Sequence, residues 1–196
     1  MRVIAGTYRS RILKGLKGLA LRPTSDRLRE TLFNVLGSAV DGARFIDLFA
    51  GTGAVGIEAL SRGASAVVFI ENQVPAAALI RRNLESLDIR TGTMVLAMDA
   101  VRGLEKLGRK HPSGWAGYDF VFVDPPYAAA AEYAQVLRLL GVTPLLAGGA
   151  RVIVEHRKDF ELPEQAGRLR RFRILRQGDA ALSFFSAPSE ESPSAE

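Results

Sequence analysis

Phe45-Ile46-Asp47-Leu48-Phe49-Ala50-Gly51-Thr52-Gly53-Ala54-Val55-Gly56 passes from an apolar strand-like stretch, through three spaced glycines, into a helical pattern. Strand, G-x-G-x-x-G, helix is the order of a loop whose backbone must come close to a ligand, and glycine is the residue that permits it. A plain tight turn would use the same glycines, and nicotinamide- and flavin-binding proteins share the pattern. Asp47 separates these readings. A carboxylate at the mouth of the first strand would repel a pyrophosphate lying along the loop. It would attract a ligand carrying an ammonium and a sulfonium cation. S-adenosylmethionine is such a ligand, with Gly51, Thr52, Gly53 and Gly56 forming its cradle.

Working outward, the chain alternates strand and helix from about residue 44 to 186. Strand-like runs cover Arg44–Leu48, Ala66–Ile70, Met94–Ala97, Phe120–Val123, Arg151–Val154, Phe172–Leu175 and Ala181–Phe185. Helical spacing falls between them, as over Val55–Arg62, Pro75–Leu87 and Tyr133–Leu140. Several strands are near-continuous apolar runs, as parallel strands covered on both faces must be. The alternation predicts a doubly wound α/β sheet of seven strands, mostly parallel and Rossmann-like. The connection Arg176–Ala180 is too short for a parallel crossover, so the last two strands form an antiparallel hairpin. Glu71, ending the second strand, sits where an acid accepts hydrogen bonds from ribose hydroxyls. Asp99, just past the third strand with Ala100 beside it, is placed for the adenine amino group. Acids at strand ends also cap helices, and that alternative stands for both.

A second site follows strand four, where Asp119-Phe120-Val121-Phe122-Val123 ends in Asp124-Pro125-Pro126-Tyr127. Ligands in open α/β sheets bind beyond the carboxyl ends of the strands, so this tetrapeptide faces the glycine loop. An amino group on a nucleobase ring is a poor nucleophile, because its lone pair is delocalised into the ring. Acceptors aimed at its N–H groups favour a more tetrahedral nitrogen and steady the charge that develops as it attacks a methyl carbon. Asp124 offers a carboxylate and Pro125 a carbonyl. The paired prolines Pro125 and Pro126 stiffen the turn and bring no N–H to occupy that carbonyl. Tyr127 offers a ring on which an extruded base can stack. The bland reading is a stiff turn with a core tyrosine.

Charge is uneven. Residues 1–30 hold eight basic side chains against Asp26 and Glu30, and Arg168–Arg176 holds five arginines without an acid. Arg9, Arg11, Lys14, Arg22, Arg27 and Arg29 form the leading candidates for contact with a polyanion, solvated surface charge being the alternative. Residues 1–43 read as a basic N-terminal extension: strand-like Arg2–Ala5 and Arg11–Leu16, then a helix capped by Thr24 or Ser25 and stopped at Gly37. Residues 44–186 are the catalytic domain, and 187–196, with Glu190, Glu191 and Glu196, a disordered acidic tail. No apolar run is long enough to span a bilayer. The first residues lack the apolar core of a secretory signal. Cysteine is absent, which excludes disulfides and thiolate chemistry and fits a reducing cytoplasm. His111 and His156 have no second histidine at helical spacing, so no metal site is expected.

Arg2-Val3-Ile4-Ala5-Gly6, Arg22-Pro23-Thr24-Ser25-Asp26-Arg27-Leu28-Arg29-Glu30, Phe33-Asn34, Asp47–Gly53, Glu58–Ala64 and Asp124–Tyr127 together resemble the RsmD family. These are bacterial methyltransferases acting on a guanine N2 of small-subunit (16S) ribosomal RNA. The resemblance implies a class I methyltransferase fold with a small basic N-terminal extension, S-adenosylmethionine as cofactor, and a cytoplasmic location. It implies the assembled small subunit as partner, with no obligate protein partner beyond it, and an Arg22–Arg29 segment that closes over cofactor or target. Glu71-Asn72-Gln73 departs slightly from the family pattern. The rival readings are a DNA adenine-N6 or cytosine-N4 methyltransferase, a dinucleotide-dependent oxidoreductase and a non-catalytic RNA-binding module. The chain lacks a sizeable insertion for reading a major groove, which counts against the first.

Overall fold

A computed structural model describes residues 1–15, 25–109, 116–126 and 130–188. Ser25 proves to be the cap that starts α1 (Asp26–Leu36): its Oγ accepts the Leu28 N–H at 3.1 Å. Leu28, Leu32, Phe33 and Leu36 form its buried stripe, and Gly37 ends it at a positive φ of 59°, which glycine adopts without strain. There follow β1 (Arg44–Leu48), α2 (Ala54–Ser61), β2 (Ala66–Glu71), α3 (Val74–Ser86), β3 (Thr93–Ala97), α4 (Ala100–Gly108), β4 (Tyr118–Val123) and α5 (Ala130–Leu140). The chain closes with β5 (Leu146–Arg157), β6 (Gln165–Ala166), β7 (Leu169–Gln177) and β8 (Ala180–Ser186).

The strands make one sheet in the order β3-β2-β1-β4-β5-β8-β7-β6, the first five parallel and β8 antiparallel to both its neighbours. The predicted terminal hairpin is there, turning at Gly178 with φ 62°. The sheet has eight strands rather than seven. The extra one, β6, is two residues long between Pro163 and Gly167 and has no room to display a period of two.

Both faces are covered. Phe45, Phe69, Phe122, Ile153 and Phe184 pack with α1, α2 and α3 on one side. Ile46, Leu48, Val121, Val123, Val152, Val154 and Phe185 pack with Leu104 of α4 and Tyr133, Val136 and Leu140 of α5 on the other. This is why the strands read as continuous apolar runs.

The N-terminal stretches do not form the predicted pair of strands. Among the described residues only an isolated bridge joins Arg2 and Ile12, supported by Val3 N–H to Arg11 O (3.0 Å) and Ser10 N–H to Val3 O (2.9 Å). A longer ladder is pre-empted, because the next backbone donors bond to α2: Ile4 and Ala5 N–H reach the Glu58 carboxylate at 2.7 and 3.0 Å. Gly6, φ 81°, then runs so close to α2 that a Cβ there would sit 1.7 Å from the Ser61 carbonyl oxygen. Val3 and Leu13 are buried in the same core as Phe45 and Phe69.

Candidate active site

The glycine loop leaves β1 through Phe49 (φ 59°) and Gly51 (φ 55°), and Gly53 (φ 79°) begins α2. Left-handed backbone at the last two is what glycine is for. Gly56 serves packing instead: a Cβ there would lie 2.3 Å from Phe69 Cε1 and 2.8 Å from Val67 Cγ1, so its absence lets α2 press on β2.

Asp47 is 2% exposed, and its Oδ2 accepts the Gly56 N–H at 2.9 Å. Burial pushes its carboxyl up to about 8; the Gly56 hydrogen bond opposes this, and the nearby Glu71 charge adds to it. Glu71 is equally committed to the loop: one oxygen accepts the Gly51 N–H and the other the Gln73 N–H, both at 2.8 Å. Gln73, not Glu71, takes the N-cap position of α3. Asp99 does cap α4, accepting the Arg102 N–H at 2.9 Å, with Arg102 Nε 3.4 Å from its second oxygen. Ala100 is buried at the first position of that helix.

Register gathers these groups. Leu48 pairs with Ile70 on one side and with Val123 on the other, so Phe49, Glu71 and Asp124 emerge from adjacent strands at one end of the sheet. Glu71 in turn pairs with Ala97, two residues before Asp99. Asp124 is half-buried, Pro125 buried and Pro126 exposed; Tyr127 lies outside the described residues. The open cavity of about 380 Å³ bordered by Asp41, Asp119, Gly149 and Arg151 is at the opposite, amino end of the strands and touches none of these groups.

Of the predicted nucleic-acid contacts, Arg9, Arg11, Lys14 and Arg27 are exposed, Arg11 also donating to Ser86 O at 3.0 Å. Arg22 lies outside the described residues. Arg29 must be reassigned. It is wholly buried, 3.8 Å from Glu58, and donates to Arg2 O at 2.6 Å and Asp26 at 3.1 Å. A guanidinium neutralised inside the fold cannot reach a phosphate, and its neighbours in the basic run concealed this. His156 is structural, its ring held between Arg157 O (2.7 Å) and Ser183 Oγ (2.8 Å), with burial lowering its proton affinity.

Two contributors went unnoticed in the sequence. Glu58, fully buried, holds Ile4, Ala5, Arg29 and Arg62 at once. Asn83, also fully buried, donates to Thr52 O (3.0 Å) and Lys14 O (3.1 Å) and accepts the Lys14 N–H (2.9 Å). The signal for Asn83 was present: a polar residue on the buried stripe of α3, between Ile80 and Leu84.

The family model described as "Conserved hypothetical protein 95", that of the RsmD proteins, matches residues 1–186. The chain belongs to the RsmD family. It is 38% identical over 163 residues to ribosomal RNA small subunit methyltransferase D of Haemophilus influenzae, covering 83% of this chain and 81% of the relative. Identity to YlbH of Bacillus subtilis is 37% over 169 residues, covering 86% and 89%. The solved structure of YhhF from Escherichia coli superposes with a TM-score of 0.81 at 29% identity, covering 97% of this chain and 99% of that one. In this RsmD-family chain the matched span takes in the N-terminal segment, the glycine loop and Asp124-Pro125-Pro126. Among the described residues no helix is long and apolar enough to cross a membrane.

Proposed function

We propose that this protein transfers a methyl group from S-adenosylmethionine to the exocyclic N2 of a guanine in small-subunit ribosomal RNA, acting on assembled subunits in the cytoplasm. The observation that carries the reading is the side-by-side exit of Asp47 with its glycine loop and of Asp124-Pro125-Pro126 from the paired strands β1 and β4. The names of the RsmD relatives support ribosomal RNA as the substrate class. The guanine N2 rests on the family resemblance.

The residues fit the donor. Asp47, buried and holding a proton for want of a counter-charge, suits a cationic amino-acid end. Glu71 uses one acceptor site on each oxygen, and a carboxylate has about four, leaving two for ribose hydroxyls. Asp99 and Ala100 border the adenine position. When bound, the donor supplies an electrophilic methyl carbon on a sulfonium. Asp124 and the Pro125 carbonyl accept the two N–H hydrogens of the target amine and orient its lone pair at that carbon. Tyr127 stacks on the extruded base. As the nitrogen takes the methyl, the carbon–sulfur bond would break with its electron pair passing to sulfur as a neutral thioether, and the nitrogen would shed one proton to water or to Asp124. Residues 1–43 serve as the RNA-side extension of a methyltransferase domain spanning 44–186, and 187–196 as an acidic tail.

The test is methylation of undermethylated small subunits, protein-free ribosomal RNA and DNA side by side, with the product nucleoside identified by mass spectrometry. N2-methylguanosine in RNA is the expected result; methyl found only in DNA overturns the reading. Asp124→Ala should lower transfer by roughly a thousandfold while leaving donor affinity within about threefold. Full activity in that variant would remove the carboxylate from the chemistry.

A further inference from the structure

The five arginines of Arg168–Arg176 do not act alike. Arg168 donates to Thr143 O at 2.9 Å and Arg171 to Leu162 O at 2.8 Å, so both fasten loops. Arg170, Arg173 and Arg176 are exposed, and their side chains make no hydrogen bond or ion pair to any described residue. A break in register between Arg171 and Arg173 marks a bulge in β7 at Phe172. Phe172 stands 54% exposed, its ring centroid 6.2 Å from that of Phe184.

Register fixes which side of the sheet these residues occupy. Asp47 pairs with Phe122, Phe122 with Ile153, Ile153 with Phe184, and Phe184 with Arg173. One row of side chains on one face thus runs from the glycine-loop aspartate to Arg173. Four strand spacings separate its ends, about 19 Å. The next row, Phe45, Phe120, Arg151, Ser186 and Arg170, puts Arg170 on the same face. Arg176, paired with Ala181, points to the other side.

That face also carries α1 and, on α2 and α3, the basic N-terminal segment. Thr31 of α1 bonds Gln177 of β7 at 2.9 Å, and Arg29 of α1 bonds Arg2 O. Arg9, Arg11, Arg27, Arg170 and Arg173 therefore crown a single side of the molecule, with α1 between the two basic edges. Arginines on an outer strand often serve only to block edge-to-edge pairing. An exposed phenylalanine between them defeats that purpose, since it offers the apolar contact that charge is there to prevent. Cations tracking phosphates around an aromatic platform for a base make up the combination that holds single-stranded nucleic acid.

We propose that Arg170, Phe172 and Arg173 form a second RNA contact, which grips an unpaired stretch flanking the target nucleotide, about 19 Å across the sheet from Asp47. The proposal rests on RNA being the substrate. Arg170→Gln/Arg173→Gln, Phe172→Ala and, on the opposite face, Arg138→Gln are to be compared with the parent chain on undermethylated small ribosomal subunits. The arginine pair should lower the slope of log affinity against log salt by about 1.4 and raise KM for RNA roughly tenfold, with kcat at saturating RNA and donor affinity unchanged. Phe172→Ala should raise KM about fivefold or more with no change of slope. Arg170→Lys/Arg173→Lys should keep the slope, and Arg138→Gln should change nothing. Parent-like slope and KM in the Arg→Gln pair, or an equal effect in Arg138→Gln, overturns the contact. A parent chain that neither binds nor methylates those subunits would instead sink the methyltransferase reading.

Discussion

A carboxylate buried at the end of a strand with one N–H to satisfy it is unstable as an anion, and Asp47 is in that position. Its folded value near 8 lies above the ordinary 3.8, so the native state holds a proton that the unfolded chain releases. The associated stability is complete below about pH 4 and is lost as pH rises through about 8. Urea denaturation of the donor-free protein should follow that trend, and Asp47→Asn should flatten it. A cation placed beside Asp47 favours the ionised form. Donor affinity should therefore rise with pH up to about 8, with proton release at pH 7 detectable by calorimetry in buffers of different ionisation enthalpy. A pH-independent affinity would remove Asp47 from contact with charge on the donor. At this scale the sequence was legible where spacing carried the meaning, as in Gly51, Gly53 and Asp47. It was opaque for Arg29, because composition records that an arginine is present and not which way its helix turns it.

Single helices show how the loop is kept rigid. Gly56→Ala would drive a Cβ to 2.3 Å from the Phe69 ring, forcing α2 off β2. A stability loss of about 2 kcal/mol is expected in chemical denaturation, with weakened donor binding as the loop shifts. Glu58→Gln removes the buried counter-charge of Arg29, leaving only the half-exposed Asp26, and should cost about 3 kcal/mol. The Ile4 and Ala5 amides should then lose their protection from hydrogen exchange, and unaltered protection would mean the segment is held by other contacts. The helices and the parallel strands were readable from period and apolar runs. The N-terminal ladder was not, because Glu58, more than fifty residues away in sequence, captures the donors it needed. Asp99 shows the same limit: its position at a strand end predicted a ligand contact or a cap, and only the geometry reveals the cap.

For the whole molecule, the proposed RNA contacts gather on the basic side of the sheet. Neutralising Arg9 and Arg11 should weaken RNA binding and flatten its dependence on salt, since fewer phosphates are then neutralised and fewer counterions set free. An unchanged slope would exclude them from the surface. The fold class was plain from strand-helix alternation, whereas the continuity of that surface across α1 depends on register and could not be read along the chain. Asn83 gives the arrangement a thermodynamic meaning. One amide side chain is bonded both to Thr52 in the cradle and to Lys14 in the basic arm. Anything that steadies the cradle steadies the arm, and whatever grips the arm stiffens the cradle. Nucleic acid and cofactor should accordingly strengthen each other's hold by one common factor, whichever arrives first.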